Sequence, residues 1–218
     1  MPKKVSVVEK IYNANDQLAL ENRAKLDEAG VLTINLMASP GAGKTSLIER
    51  TLEALRDRFK IAVIDGDIAS SIDADRAAAA GATAVQINTG GSCHLDANML
   101  RNALSQLDLK EFDLLIVENV GNLICPAGFQ IGAHKNILIA STPEGDDKPY
   151  KYPTMYQNVD VLLINKIDLL SLLSFDMDYF QKGVKILSPN LVTFPVSCQT
   201  GEGFDAWLNW LITAIKEA

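Results

Sequence analysis

The sequence predicts an α/β protein: a doubly wound, mainly parallel sheet of about seven strands flanked by helices. Three observations point there. Short apolar runs recur at 31–37, 61–65, 83–87, 113–118, 136–141, 161–165 and 192–197. They are near-continuously apolar rather than alternating, as strands covered on both faces are. Helical stretches separate most of them, and strands alternating with helices build parallel sheets through βαβ crossovers. Composition agrees, with 48% hydrophobic but only 6% aromatic residues among 218. That is the balance of a core made from Val, Ile, Leu and Ala. The length suits one domain spanning 1–218.

The first element reads as a helix over about 6–29. Ser6-Val7-Val8-Glu9 has the Ser-x-x-Glu spacing of a capping box. Apolar residues recur at Ile11, Leu18 and Leu26, and Gly30 is placed to stop the helix. Further helices are expected at about 44–57, 72–80, 95–107, 176–182 and 203–216. In such sheets ligands bind at the carboxyl ends of strands. Every motif below falls on a loop at such an end.

Net charge is −7, which argues against a nucleic-acid partner, because phosphate binding needs a basic face. No apolar run approaches the roughly 18–20 residues that span a bilayer. The N-terminal "MPKKVSVVEK" has no apolar segment ahead of a cleavage site. A cytoplasmic protein working away from membranes is expected. Its three cysteines are an odd number and too few for a disulfide framework.

"ASPGAGKTS" follows the first strand. Ala38 to Thr45 fits G-x-x-x-x-G-K-[ST] except that Ala replaces the first Gly. Its methyl is tolerated if φ stays negative. Gly41 and Gly43 let the backbone of Gly41, Ala42 and Gly43 turn its N–H groups toward phosphate oxygens. The helix beginning at Lys44, Thr45 and Ser46 adds its positive end. Lys44 can reach the β/γ-phosphates, and the Thr45 hydroxyl can ligate Mg²⁺.

"NKID" follows a later strand. Guanine presents two donors on one edge, and the Asp168 carboxylate can accept both. Lys166 can lie along the base, and Asn165 can tie this loop to the phosphate loop. "SCQTG" places Ser197 and Cys198 beside guanine, Cys198 packing there rather than ligating. Two acidic strand ends lie between. Asp65, Asp67 and Asp73 come from "DGDIASSIDADR", and Glu118 and Gly121 from "ENVGNLICP". Asp67 is the leading candidate for a Mg²⁺ contact, Glu118 can reach the metal through water, and Gly121 can offer its N–H to the γ-phosphate. Asn122 follows Gly121 where a longer Gln would reach an attacking water, so slow hydrolysis is expected.

The remaining motif is "GGSCHLDANML". Cys93 and His94 are adjacent, and Cys125 lies on another strand-end loop. Two thiolates and an imidazole suit Zn²⁺ or Ni²⁺ rather than Mg²⁺. Three ligands leave a tetrahedral site incomplete, so water or a second chain finishes it. Two packing thiols beside a helix-starting histidine is the plain alternative. His134 is solitary and reads as an ordinary histidine.

Taken together, "SPGAGKT", "GSCHLDANM", "ENVGNLICP", "PEGDDKPYKYP" and "NKID" resemble the hydrogenase/urease nickel maturation GTPases, the HypB/UreG family, over nearly the whole chain. The "CHLDA" context favours the hydrogenase type over the urease type. The resemblance implies a P-loop GTPase of the signal-recognition-particle-related (SIMIBI) class, using GTP/GDP and Mg²⁺. It implies a GTP-dependent homodimer that binds Ni²⁺ or Zn²⁺ through Cys93, His94 and Cys125. It implies help in nickel insertion into nickel–iron hydrogenase, alongside other hydrogenase maturation proteins and the hydrogenase large subunit. The family's motifs carry over onto Gly41 to Ser46 and onto Asn165, Lys166 and Asp168. Lys148 or Lys151, in "GDDKPYKYP", is placed to contact the partner chain or its nucleotide. The family's Cys-x-x-Cys-Gly-Cys motif and His-rich tract are missing from this sequence, so a separate high-affinity nickel site and bulk storage are not expected. A P-loop kinase or ligase with a structural zinc is the rival reading, and "NKID" argues against it.

Overall fold

The computed structural model describes residues 7–67 and 72–218, with side chains from residue 14 onward except in the gap. Ser6 of the expected capping box lies outside the described residues, as does the side chain of Ile11. The first helix, α1 (Val7–Ala29), stops at Gly30, whose φ of 68° carries the chain out of the helix.

Seven strands follow: β1 (Leu32–Ala38), β2 (Ile61–Asp67), β3 (Thr83–Asn88), β4 (Leu114–Glu118), β5 (Lys135–Ser141), β6 (Val161–Asn165) and β7 (Val192–Pro195). They form one sheet in the order β3-β2-β4-β1-β5-β6-β7, and every neighbouring pair is parallel. The expected sheet was mainly parallel; the observed one is wholly so. Burial follows from that order. β1, β4 and β6 are buried along their length, as apolar runs covered on both faces must be. The edge strands β3 and β7 are partly exposed, and β3 carries polar Thr83, Gln86 and Asn88.

Helices α2 (Lys44–Leu55), α3 (Ile72–Ala79), α4 (Ala97–Leu104), α7 (Met177–Leu187) and α8 (Phe204–Glu217) occupy the expected places. α2 and α8 bury Leu47, Leu52, Trp207 and Leu211 against one face of β1, β4 and β5. α1 and α4 bury Leu26, Leu100 and Leu104 against β2 and β4. α7 closes a third apolar cluster with Phe180 and Val184. Two short helices, α5 (Lys148–Lys151) and α6 (Pro153–Gln157), were not expected. Pro149 and Pro153 start them at positions where a missing N–H costs nothing. They are too short to show a helical period.

β1 is the central strand, so the loop leaving it sits in the middle of the carboxyl edge. The loops after β2, β3 and β4 lie to one side of it, and those after β6 and β7 to the other. Charge-bearing and thiol-bearing loops are thereby gathered on one edge.

Candidate nucleotide and metal site

The phosphate loop is built by two left-handed glycines. Gly41 has φ 76° and Gly43 has φ 106°. A Cβ on Gly43 would overlap Nδ2 of Asn165, so that position has room only for glycine. Ala38, the departure from the usual pattern, is the buried last residue of β1 and has no positive φ. Its methyl therefore costs nothing. α2 begins at Lys44, aiming its first-turn N–H groups into a cleft of about 510 Å³. Lys44 Nζ lies 3.9 Å from Glu118 Oε1, and the Thr45 hydroxyl donates to the same oxygen at 3.1 Å.

The loops after β6 and β7 form an adjoining cleft of about 590 Å³, sharing Gly43, Ser46 and Lys166 with the first. Asn165 joins the loops as the sequence suggested. Its amide donates to the Ala42 carbonyl at 2.9 Å, and its oxygen accepts from Lys166 N at 2.8 Å and Cys198 N at 3.1 Å. Lys166 has φ 63°, the only non-glycine positive φ among the described residues. Its ammonium donates to the Gly41 carbonyl at 2.6 Å, laying the side chain across the phosphate loop. Asp168 accepts from the Ser197 hydroxyl at 2.5 Å and lines the cleft. Burial pushes the Cys198 thiol up to about 11, so it is a packing thiol.

The acidic strand ends meet beside the phosphate loop. Register pairs Asp65 of β2 with Glu118 of β4. Asp65, Asp73 and Glu118 each bring a ligand oxygen within 4.8 Å of the others. Burial, with Asp73 and Asp67 nearby, pushes Asp65 up to about 6 against the pull of Lys44. Burial likewise pushes Glu118 up to about 7. Asp65 Oδ2 is buried with no hydrogen-bond partner. Crowded, desolvated carboxylates with an orphan oxygen fit a hard divalent cation. The sequence reading put Asp67 in that role. Asp67 lines the cleft, but the structure gathers Asp65 and Asp73 with Glu118 instead. Arg76, which the sequence reading missed, also lines the cleft and grips Glu49 through two bonds of 2.8 and 2.6 Å.

Gly121 packs on the phosphate loop so closely that a Cβ would lie 3.1 Å from Pro40 Cα. The side chain of Asn122 is not turned toward the cleft. Its amide donates to Cys125 Sγ at 3.3 Å, and its oxygen accepts from Ile124 N at 2.8 Å. It shapes the Cys125 turn.

Cys93, His94 and Cys125 meet on the β3 side, their ligand atoms all within 4.8 Å of one another. Cys93 Sγ lies 3.7 Å from His94 Nδ1, and the His94 ring centre lies 4.0 Å from that of Phe129, the two planes tilted by 33°. Burial lowers the His94 pKa, which favours the neutral, ligating imidazole. The neighbouring Cys93 sulfur and burial push the Cys125 thiol up. Buried Asn119 links this cluster to the cleft. Its oxygen accepts from Leu95 N at 3.0 Å and Val120 N at 2.9 Å, and its amide donates to Asn35 at 3.1 Å.

His134 is structural. Its Nδ1 accepts from Thr33 N at 2.9 Å, so its proton sits on Nε2, 2.9 Å from Asp27. Lys151 pairs with Asp147, and Lys148 Nζ lies 5.6 Å from the Tyr152 ring centre.

A wholly parallel sheet, a Gly-rich loop entering a helix after its central strand, and an N-K-x-D loop beside it define a P-loop nucleotide-binding protein. Residues 32–194 match the CobW/HypB/UreG nucleotide-binding domain. The chain is 47% identical over 201 residues to the hydrogenase maturation factor HypB of Azotobacter vinelandii, covering 92% of this chain and 66% of that relative. It is 43% identical over 215 residues to the factor of the same name from Rhizobium leguminosarum bv. viciae, covering 98% of this chain and 72% of that one. The crystal structure of HypB from Helicobacter pylori in complex with nickel superposes with a TM-score of 0.89 at 38% identity, covering 94% of this chain and 96% of the other. The chain belongs to the CobW/HypB/UreG family, among its hydrogenase maturation factors. Among the described residues, no helix is long and apolar enough to cross a membrane.

Proposed function

We propose that the chain is a GTP-hydrolysing metallochaperone that carries nickel at Cys93, His94 and Cys125 toward a hydrogenase. One observation carries this. The segment 118–125 supplies Glu118 and Gly121 to the nucleotide cleft and, at its other end, Cys125 to the thiol cluster. A single short loop thus runs from the cleft to the thiol cluster.

The nucleotide half works as follows. The amides of Gly41, Ala42, Gly43, Lys44, Thr45 and Ser46 cradle the phosphates with Lys44. Asp168 accepts the two guanine donors, with Ser197 and Cys198 closing the base loop. Thr45, Asp65, Asp73 and Glu118 would hold Mg²⁺, with Asp67 on the cleft wall; bound there, the ion would neutralise phosphate charge. The Gly121 N–H meets the γ-phosphate. No side chain of the Gly121–Cys125 turn is poised over an attacking water, which suits slow intrinsic turnover.

The cargo half is soft. Two thiolates and a neutral imidazole select nickel or zinc over magnesium. A second copy related by a two-fold axis brings the same patch and completes the coordination. GTP moves the Gly121 loop, and Cys125 moves with it. Coupling of this kind is reciprocal, so metal strengthens GTP-dependent dimerisation as much as GTP strengthens metal binding. Other maturation proteins and the hydrogenase large subunit are the donor and acceptor. The test is nickel titration of wild type, Cys93→Ala, His94→Ala and Cys125→Ala, each with GDP and with a non-hydrolysable GTP analogue. Either cysteine variant loses most of the affinity, His94→Ala loses part, and wild-type affinity depends on the nucleotide. Affinity that ignores the nucleotide leaves a passive metal staple.

A further inference from the structure

The two metal-bearing loops are fixed from behind by one helix. Cys93 and His94 lie on the loop entering α4, and Cys125 on the connection from β4 to β5. α1 reaches both. Asn15 accepts from the Ala97 amide at 2.9 Å and donates to the Gln130 carbonyl at 2.7 Å. Asn22 donates to the Ala97 carbonyl at 2.8 Å and to the Ile131 carbonyl at 3.0 Å. Ala97 opens α4, three residues beyond His94, while Gln130 and Ile131 follow Cys125 by five and six residues.

An asparagine side chain offers one carbonyl oxygen and two N–H donors, so a single residue can bridge two backbone segments. Residues seven apart on a helix share a face, so both amides point the same way. Both are buried, with 7% and 0% of their surface exposed. Asn22 Oδ1 is buried without a hydrogen-bond partner, a cost that an apolar residue at this position would avoid. The contact continues along the chain: Arg23 donates to the Ala133 carbonyl at 3.1 Å, and Asp27 meets His134. Gly132 sets how close it is. Its φ is 99°, and a Cβ there would lie 2.5 Å from the Ala19 carbonyl oxygen and 2.8 Å from Asn22 Cβ. The α1 backbone therefore rests directly on the segment between Cys125 and β5.

We infer that Asn15 and Asn22 are positioning residues for the metal, and that α1 sets the spacing of Cys93 and His94 against Cys125. The inference rests on the thiol cluster being the metal site proposed above. None of the four bonds involves a residue of the nucleotide cleft, so the effect falls on metal and spares nucleotide. Partners hydrogen-bonded directly to metal ligands typically change metal affinity about 10–100-fold when removed, and Asn15 and Asn22 act one step further out, at the lower end of that range.

The experiment titrates Ni²⁺ into wild type, Asn15→Ala, Asn22→Ala and Asn15→Asp, following the thiolate-to-nickel charge-transfer absorption. Asn15→Asp keeps the acceptor for the Ala97 amide but sets a carboxylate oxygen against the Gln130 carbonyl. GDP affinity is measured on the same samples. Val184→Ala, in a different core cluster, controls for general loss of stability. Each alanine variant is expected to weaken nickel about tenfold and to shift the absorption band, and Asn15→Asp, which also loses the Gln130 bond, to weaken it at least as much as Asn15→Ala. GDP affinity stays at the wild-type value, and Val184→Ala binds nickel normally. Folded alanine variants with wild-type nickel affinity and spectrum overturn the inference. So does an equal loss of nickel affinity in Val184→Ala. A wild-type protein with no thiolate-to-nickel band instead overturns the underlying metal assignment, and is seen before any α1 variant is made.

Discussion

Asn165→Ala tests whether the phosphate loop and the base loop are one unit. The side chain is 2% exposed and satisfies three backbone groups: the Ala42 carbonyl and the amides of Lys166 and Cys198. Alanine leaves all three without that partner. Each lost bond is worth about 1 kcal/mol net, and an orphaned buried group up to about 3. Lys166 and Cys198 are half-buried, so water recovers part of the loss. The expected destabilisation is about 3 kcal/mol in urea unfolding. Nucleotide affinity falls too, because the Ala42 carbonyl anchors the loop that Gly43 turns. A fluorescent GDP analogue is expected to bind at least about tenfold more weakly, a change of about 1.4 kcal/mol. Asn165→Asp separates the bonds. It keeps an acceptor for the two amides but sets a carboxylate oxygen against the Ala42 carbonyl. It should match alanine in GDP affinity while losing less stability. Asn165→Ala with a stability loss under about 1 kcal/mol, or with unchanged GDP affinity, refutes the linkage.

Asp168→Asn replaces a double acceptor with one acceptor and one donor. GTP affinity should drop by about 1.5–3 kcal/mol, xanthosine triphosphate should be partly accepted, and a competition titration reads both. Lys44→Ala removes the phosphate loop's own cation and should abolish GTP turnover in a phosphate-release assay while the fold survives. His134 gives a pH signature. Burial holds its pKa below the usual value, outweighing Asp27, so the unfolded chain takes up the proton first. Stability from this group is therefore complete above about pH 6.5 and falls as pH drops through that value. The difference in unfolding free energy between wild type and His134→Gln should shrink from pH 7.5 to 5.5; a constant difference counts against it.

The features legible in sequence were those that constrain backbone locally. Gly41, Gly43, Lys44 and Thr45 sit in four consecutive turns of logic: strand, left-handed turn, helix start, cation. Asn165 and Asp168 were found because a polar tetrad interrupts an apolar run at a strand end. The gathering of Asp65 with Asp73 and Glu118 was less legible, because it depends on the pairing of β2 with β4, and register is a long-range property. The α5–α6 segment was missed because two prolines cut it into single turns. The grip of α1 on the loops carrying Cys93, His94 and Cys125 was invisible for a different reason. Asn15 and Asn22 contact residues 75 to 115 positions away, and an isolated asparagine on a helix announces nothing about its partner.

The proposed coupling through the 118–125 loop implies that GTP hydrolysis, by undoing the move that GTP makes, releases the nickel. It is tested most directly by loading the protein with Ni²⁺ and GTP·Mg²⁺ and starting a single turnover. A chromogenic nickel chelator and a phosphate sensor are followed together. The account predicts that nickel appears with the same rate constant as phosphate, and that Lys44→Ala, loaded with nickel alone, releases nothing on GTP addition. Nickel that reaches the chelator at one rate whether GTP is hydrolysed, replaced by its non-hydrolysable analogue or omitted would contradict it.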